Sequence, residues 1–163
     1  MSNASLYSDP EVLCELAKKL PLEVPDIELI IPHRHPFLLI DRVVELVDNE
    51  RVVAIKNVSF GESFFNGHFP GRPVLPGVIM IEAMAQTGAI LAKLSKDGVA
   101  PNKVVLLVGV DDVKFKRQVI PGDTLRIEMT SVRKRRPLWI MSGRATVGDA
   151  LAASATISAM EVA

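Results

Sequence analysis

The 163-residue chain is poor in cysteine and in aromatic side chains, and it carries no excess of charge of either sign. Its single cysteine, Cys14, excludes a disulfide within the chain and fits a reducing compartment, for which the cytoplasm is the default. Nineteen Lys and Arg residues balance nineteen Asp and Glu residues, so the net charge gives no indication of nucleic-acid binding.

The chain also lacks a long uninterrupted hydrophobic run. Its first twenty residues contain several carboxylates and no apolar core, unlike a secretory signal. The most apolar segment, residues 78–94, contains Glu82, Gln86 and Thr87, which argues against a membrane span. We therefore expect a soluble, cytoplasmic protein.

Apolar periodicity and turn residues predict two helices. A short helix begins with Asp9, Pro10 and Glu11 and ends before Pro21, and we expect it to pack as an N-terminal lid, with a solvated extension as the alternative. A longer helix, apolar on nearly every side, runs from about Pro76 to Leu94 and ends at the turns at 97–98 and 101–102. The predicted strands cover residues 37–47, 51–58, 103–110, 113–118, 124–133, 138–147 and 151–160.

This order of elements contains no alternation of strands and helices and no repeats, which favours an antiparallel sheet. Because a helix apolar all round must be enclosed, the sequence predicts an α+β fold with five to seven strands wrapped around one long central helix. We expect residues 28–163 to form this single domain and residues 1–27 to form a helical extension.

Residues 66–82 combine a histidine in a turn rich in glycine and proline with a carboxylate in the apolar helix. His68 suits a general base, because histidine titrates near neutrality. Burial of Glu82 predicts a raised pKa and a neutral acid that can donate a proton. In the alternative interpretations Glu82 only pairs with Gln86 or an arginine, and His68 only bonds to the backbone. His33 and His35 are predicted to be structural.

Gly77 lies in the first turn of the long helix, where a backbone N–H has no helical partner and attracts negative charge. An enolate-like oxygen beside a thioester carbonyl would be stabilised there. His68 and Glu82 are separated by residues that would span about 20 Å if mostly helical. We therefore expect them not to meet within one chain.

The segment Gly67-His-Phe-Pro-Gly-Arg-Pro-Val-Leu-Pro-Gly-Val78, followed by Glu82-Ala-Met-Ala-Gln86, resembles the signature of bacterial 3-hydroxyacyl-acyl-carrier-protein dehydratases of the FabZ type. This resemblance implies the hot-dog fold, a homodimer that assembles as a trimer of dimers, and a site shared between subunits. His68 of one chain would be the base and Glu82 of the other the acid. Gly77 would bind the thioester carbonyl, and Phe69, Val78 and Gln86 the substrate.

The resemblance implies removal of water from 3-hydroxyacyl thioesters to give trans-2-enoyl thioesters in type II fatty acid biosynthesis. The sister family that also isomerises the double bond has Asp where this chain has Glu82, which favours dehydratase activity alone. No cofactor or metal is expected, since acyl carrier protein delivers the substrate on its phosphopantetheine arm. Basic residues are candidates for docking this acidic partner, although charge runs are usually solvated: Lys114, Lys116, Arg117, Arg133, Arg135 and Arg136.

Two other functions remain open. A hot-dog acyl thioesterase would use the helix carboxylate to activate water or to attack the thioester. A binding module without catalysis would need only a cavity for the acyl thioester.

Overall fold

The computed structural model of the protein describes residues 10–100 and 103–162, and it shows one antiparallel seven-stranded sheet wrapped around a long helix. The helices are α1 (Pro10–Leu16), α2 (Val24–Ile30) and α3 (Gly77–Leu94), with a short 3-10 helix at Ser63–Asn66. The strands are β1 (Leu22–Glu23), β2 (Arg42–Val47), β3 (Arg51–Asn57), β4 (Val104–Phe115), β5 (Thr124–Arg135), β6 (Leu138–Val147) and β7 (Ala150–Val162). Their order across the sheet is β1-β2-β3-β5-β6-β7-β4.

Helix α3 is the centre of the core, as the sequence predicts. It begins directly after Pro76, whose extended backbone leads into the first turn, and ends at Ser95, which returns to extended backbone. It is the one helix in the described ranges long and apolar enough to cross a membrane, but 72% of it is buried inside the protein. Packing against β3, β5, β6 and β7 therefore accounts for its apolar character.

Strand β4 differs from the prediction of two strands at 103–110 and 113–118. It is continuous, with register shifts after Leu107 and Asp111, and Asp112 adopts a positive φ of 51° within the irregular part. Such bulges bend a strand without ending it. Among the described strands β4 pairs only with β7, so it forms one edge of the sheet. Several of its apolar side chains are exposed: Leu106, Leu107, Val108, Val113 and Phe115.

The predicted hairpins are present. Asn49, with φ of 59°, connects β2 to β3, and Gly148, with φ of 56°, connects β6 to β7. Both residue types tolerate the left-handed backbone that tight hairpin turns require.

The predicted start of β2 at residue 37 is wrong, because residues 31–41 form a loop. Arg34 holds this loop by donating from Nη1 to the carbonyls of Ile31 (3.0 Å) and His33 (2.7 Å), and from Nη2 to that of Glu28 (2.8 Å). An arginine that satisfies three backbone carbonyls fixes an irregular segment that no ladder stabilises.

At the N-terminal end, α2 was not among the predicted helices. This helix has seven residues, too few for a periodic pattern, and its local signal is Pro25 in the first turn with Asp26 accepting from the Glu23 N–H at 3.0 Å. Helix α1 ends four residues earlier than Leu20 and packs against α2 and α3 through Leu13 and Leu16. The predicted cap Asp9 and the turn at 101–102 lie outside the described residues.

The segment 22–23 contributes β1, which pairs with β2 through Leu22 and Val43. The division of the chain into residues 1–27 and 28–163 stays a prediction.

Candidate functional site

His68 lies in the loop after the 3-10 helix, and reciprocal contacts with Val74 hold it. The Val74 N–H donates to the His68 carbonyl at 3.1 Å, and the His68 Nδ1 lies 2.7 Å from the Val74 carbonyl oxygen. Since a carbonyl oxygen only accepts, Nδ1 must carry the proton. In the neutral imidazole Nε2 then holds the lone pair. The backbone contact, which was the alternative role predicted for His68, therefore also gives the tautomer that a base needs.

The half-buried His68 ring lines a cavity of about 360 Å³ together with Gly77, Met80 and Phe115. The Phe115 ring packs so closely on Gly77 that a Cβ atom built there would lie 2.7 Å from its Cζ atom. Glycine is therefore required at the start of α3 for the cavity to keep this shape. The Gly77 N–H belongs to the first turn of α3, where helix geometry provides no partner.

Phe69 stacks on His68 with ring centroids 4.0 Å apart and leaves 55% of its surface exposed. Val78 is 72% exposed on the first turn of α3. Both residues therefore lie at the surface near the His68 cavity. Their assignment to substrate binding stays a prediction.

Glu82 lies in a different cavity, of about 240 Å³, between α3, the 31–41 loop and β4. Its Oε1 atom accepts a hydrogen bond from Gln86 Nε2 at 2.8 Å and lies 3.5 Å from His33 Nε2. Leu106 and Leu107 of β4 form the outer wall of this cavity.

Gln86 is buried, and both the oxygen and the nitrogen of its side-chain amide form hydrogen bonds. Its Oε1 accepts from the Leu39 N–H at 2.9 Å, while Nε2 donates to the Phe37 carbonyl at 2.7 Å and to Glu82. The two backbone contacts fix which end of the amide faces Glu82. Gln86 therefore orients the carboxylate and the loop, in addition to its predicted place at the substrate site.

The predicted raised pKa of Glu82 is wrong for this chain. Loss of solvent around the half-buried carboxyl raises its pKa, but hydrogen bonds from His33 and Gln86 and the nearby imidazole outweigh this effect and lower the pKa below 4.5. Burial alone predicts a raised pKa, and the lowered pKa results from the His33 and Gln86 side chains beside the carboxyl.

His33 was predicted to be structural, and nothing in the sequence indicated that it lies beside Glu82. The residue lies 49 positions before Glu82, so no local spacing connects the two side chains. A loop residue whose partner is on a distant helix becomes visible only in three dimensions.

The structure does not bring His68 and Glu82 together within one chain, because each lines its own cavity. Phe115 lines the His68 cavity and Leu106 the Glu82 cavity, and the two are nine residues apart on β4. Because of the two register shifts in β4, their partners on β7, Met160 and Ala153, are only seven residues apart. At about 3.3 Å per residue, the cavities therefore reach β4 roughly 23 Å apart. Each cavity therefore contains only some of the predicted catalytic groups: His68 and Gly77 line one, and Glu82 lines the other.

The predicted docking residues form two groups. Lys114, Lys116 and Arg117 lie at the end of β4, where Lys116 and Arg117 line the His68 cavity and Arg117 pairs with Asp123 at 3.3 Å. Arg133, Arg135 and Arg136 are exposed and lie around the β5–β6 turn. Arg136 there pairs with Glu161 through two hydrogen bonds of 2.9 and 3.0 Å, which restricts its use in docking.

The residues at 10–100 and 103–162 contain no group of three or more His, Cys, Asp or Glu side chains arranged to hold a metal ion.

The family model and the most similar curated relatives indicate the same family. Residues 31–156 match the model of the FabA-like domain. The 3-hydroxyacyl-[acyl-carrier-protein] dehydratase FabZ of Symbiobacterium thermophilum is 57% identical over 128 residues, covering 78% of this chain and 89% of that protein. The protein of the same name from Geobacter metallireducens is 47% identical over 137 residues, covering 84% and 91%.

Among solved structures, the dehydratase heterocomplex ApeI:P from Xenorhabdus doucetiae matches with a TM-score of 0.71 and 18% identity, covering 89% of this chain and 93% of that one. This likeness supports the hot-dog fold, which agrees with the sheet around α3. The motif at 66–90, the fold and the level of identity together place the chain in the FabA-like family, among the 3-hydroxyacyl-acyl-carrier-protein dehydratases of the FabZ type.

Proposed function

We propose that the protein is a hydro-lyase that removes water from 3-hydroxyacyl thioesters carried on acyl carrier protein and forms trans-2-enoyl thioesters. Membership of the FabZ group supports the reaction, and the two incomplete cavities support a site shared between two copies of the chain. We infer that the enzyme acts in type II fatty acid biosynthesis in the cytoplasm and needs no cofactor of its own.

The observation that carries this proposal is the placement of the two cavities along β4. This strand has a free edge and exposed apolar side chains, which favours pairing with a second copy. A twofold axis makes two β4 strands antiparallel and places the Leu106 end of one beside the Phe115 end of the other. Glu82 of one chain then faces His68 and Gly77 of its partner. We expect three such dimers to form a hexamer.

In this arrangement His68, Gly77 and Glu82 each have one role in the reaction. His68 Nε2 takes the proton from the α-carbon of the substrate, and the electron pair moves toward the thioester carbonyl, whose oxygen accepts from the Gly77 N–H. The electrons return to form the double bond as the bond to the β-hydroxyl breaks, and Glu82 protonates the leaving oxygen to give water. Proton transfer from His68 back to Glu82 restores both groups.

The lowered pKa of Glu82 in the single chain agrees with this role once the partner is considered. Loss of solvent is the largest influence on this carboxyl. A second chain and an acyl group over Leu106 and Leu107 would remove more solvent, which raises the pKa toward the neutral acid.

The same dimer gives the basic residues a common location. Arg133, Arg135 and Arg136 lie at the same end of the sheet as the start of β4, with β7 between them, since Leu138 pairs with Met160 and Val104 with Val162. In an antiparallel β4 pair they approach Lys114 and Lys116 of the other chain. We propose that this basic rim binds the acidic acyl carrier protein near the composite site.

Turnover of 3-hydroxyacyl-acyl carrier protein, followed by mass spectrometry, tests the reaction. We expect enoyl thioester as the product and a loss of at least about 10²-fold in kcat for His68→Ala and for Glu82→Gln. Free acid as the product would identify a thioesterase. Full turnover by both variants would show that neither residue takes part in the chemistry.

Co-expression of His68→Ala and Glu82→Gln chains tests the shared site. A heterodimer has one doubly altered site and one intact site, so random pairing restores about a quarter of the wild-type activity. If each site belonged to one chain, no activity would return.

A further inference from the structure

His33 enters the Glu82 cavity from the 31–41 loop, outside the motif that carries the proposed chemistry. Its Nε2 atom lies 3.5 Å from Glu82 Oε1, just beyond the usual length of an N–H···O hydrogen bond, so the contact between the two groups is electrostatic. The two side chains are 26% and 22% exposed, so both are mostly removed from solvent. They are also the two ionisable side chains that line this cavity, whose walls from β4 and β7 are apolar.

The other ring nitrogen of His33 decides the tautomer. Nδ1 is buried and has no hydrogen-bond partner among the described residues. A proton on Nδ1 would be left without an acceptor, which costs free energy in a buried position. The neutral ring therefore carries its proton on Nε2, and this N–H points to the carboxylate of Glu82.

The loop holds the ring firmly in this position. Arg34 donates to the His33 carbonyl at 2.7 Å and to two further carbonyls, which fixes the backbone at this residue. The His33 ring stacks with Phe37, with ring centroids 6.4 Å apart and an interplanar angle of 19°. A histidine whose backbone is hydrogen-bonded and whose ring is stacked on a neighbour is suited to orienting a second side chain.

Both donors to Glu82 converge on the same oxygen. Gln86 Nε2 donates to Oε1 at 2.8 Å, and His33 Nε2 lies 3.5 Å from the same oxygen. The described residues show no hydrogen bond to Oε2. An oxygen that accepts two N–H groups is a poor place for a proton, so Oε2 is left to carry the acidic proton.

We propose that His33 is a positioning residue for Glu82: with Gln86 it occupies Oε1, so that the proton given to the leaving hydroxyl is held on Oε2. This inference rests on the proposed role of Glu82 as the acid. It adds that the Nε2–H of a histidine from the 31–41 loop fixes the direction of proton delivery.

The test compares His33→Phe, which keeps the ring and loses the donor, with His33→Gln, which restores an N–H near the same place. For His33→Phe we expect kcat to fall about tenfold or more with KM changed less than about twofold, because the lost contact acts on the chemical step. The Glu82 carboxyl, followed by ¹³C NMR with a Glu82→Gln sample for assignment, should titrate at higher pH because one donor to the carboxylate is gone. His33→Gln should recover much of kcat and move the titration back.

His35→Phe is the matched control, since His35 lies two residues away and lines another cavity; it should change neither measurement. The inference is wrong if His33→Phe keeps wild-type kcat and Glu82 titration, or if His33→Gln behaves like His33→Phe. Circular dichroism shows whether each variant is folded, and His33→Gln decides the outcome if His33→Phe is not. If Glu82→Gln is fully active, the proposed acid itself is wrong, whereas an inactive Glu82→Gln beside a normal His33→Phe contradicts only the role of His33.

Discussion

At the scale of single residues, the Phe115 ring fills the space in which a side chain at Gly77 would lie. We expect Gly77→Ala to displace this ring, because a Cβ atom would lie 2.7 Å from it, and to change the cavity beside His68. A misplacement of about 1 Å at a reacting centre can reduce the rate about 10²-fold. Steady-state kinetics should therefore show a large fall in kcat/KM with little change in Tm.

Gly67→Ala gives the control for this prediction. Gly67 precedes His68 in the same loop, has ordinary backbone angles, and has no atom within 4 Å of a built Cβ. Its activity should stay near that of the wild type. Equal losses in the two variants would show that the loop, and not the contact with Phe115, is sensitive to alanine.

The sequence was sufficient to identify His68 and Glu82 as candidates, because an ionisable group in an apolar helix or a turn rich in glycine is unusual in its local context. It was not sufficient to predict the direction of the Glu82 pKa shift. That direction depends on His33 and on the fixed amide of Gln86, and both contacts depend on how the 31–41 loop folds onto α3.

At the scale of the elements, Glu161 joins the end of β7 to the β5–β6 turn. Its buried carboxylate accepts two hydrogen bonds from Arg136 and one from Trp139 Nε1 at 3.0 Å. We expect Glu161→Gln to lower the free energy of unfolding at pH 7 by about 2 kcal/mol, since hydrogen bonds to charged groups are among the stronger ones. Urea unfolding monitored by circular dichroism measures this difference.

The pH dependence of this effect has a definite sign. Burial of Glu161 raises its pKa, but the hydrogen bonds from Arg136 and Trp139 outweigh burial and bring it below 4.5. The stabilisation is therefore complete above the unfolded pKa and is lost as the pH falls through the folded pKa. The difference between wild type and variant should shrink below about pH 4.5. The exposed pair of Glu15 with Lys18 provides a control, and Glu15→Gln should change stability much less than Glu161→Gln.

Elements with a strong periodic or turn signal were predicted well, namely α3 and the β2–β3 and β6–β7 hairpins. The errors fall where tertiary contacts decide the backbone. Helix α2 is too short to show a period, and the turn-like residues around Asp112 form a bulge because pairing with β7 continues on both sides. Strand propensity at Phe37 and Leu38 was overridden by the hydrogen bonds of Arg34.

At the scale of the whole molecule, the exposed edge strand predicts that activity depends on assembly. Val108 is 53% exposed in the middle of the apolar part of β4. We expect Val108→Lys to prevent pairing of two β4 strands, because a charged residue on an edge strand blocks association. Sedimentation velocity should show a smaller species, and turnover should fall with it.

Val47→Lys is the matched control. Val47 is also an exposed strand valine, at 39%, but it ends β2 beside the turn to β3. This variant should keep both the assembly and the activity of the wild type. A monomeric Val108→Lys chain with full turnover would contradict the shared site.

The free edge of β4 also has a consequence for how the protein behaves on dilution. A chain that completes its apolar surface with a second copy gains stability through mass action, so its Tm should rise with protein concentration. Specific activity should fall below the dissociation constant of the dimer, with a lag on reconcentration as chains re-associate. An assay at nanomolar enzyme would then report the association equilibrium as much as the chemistry.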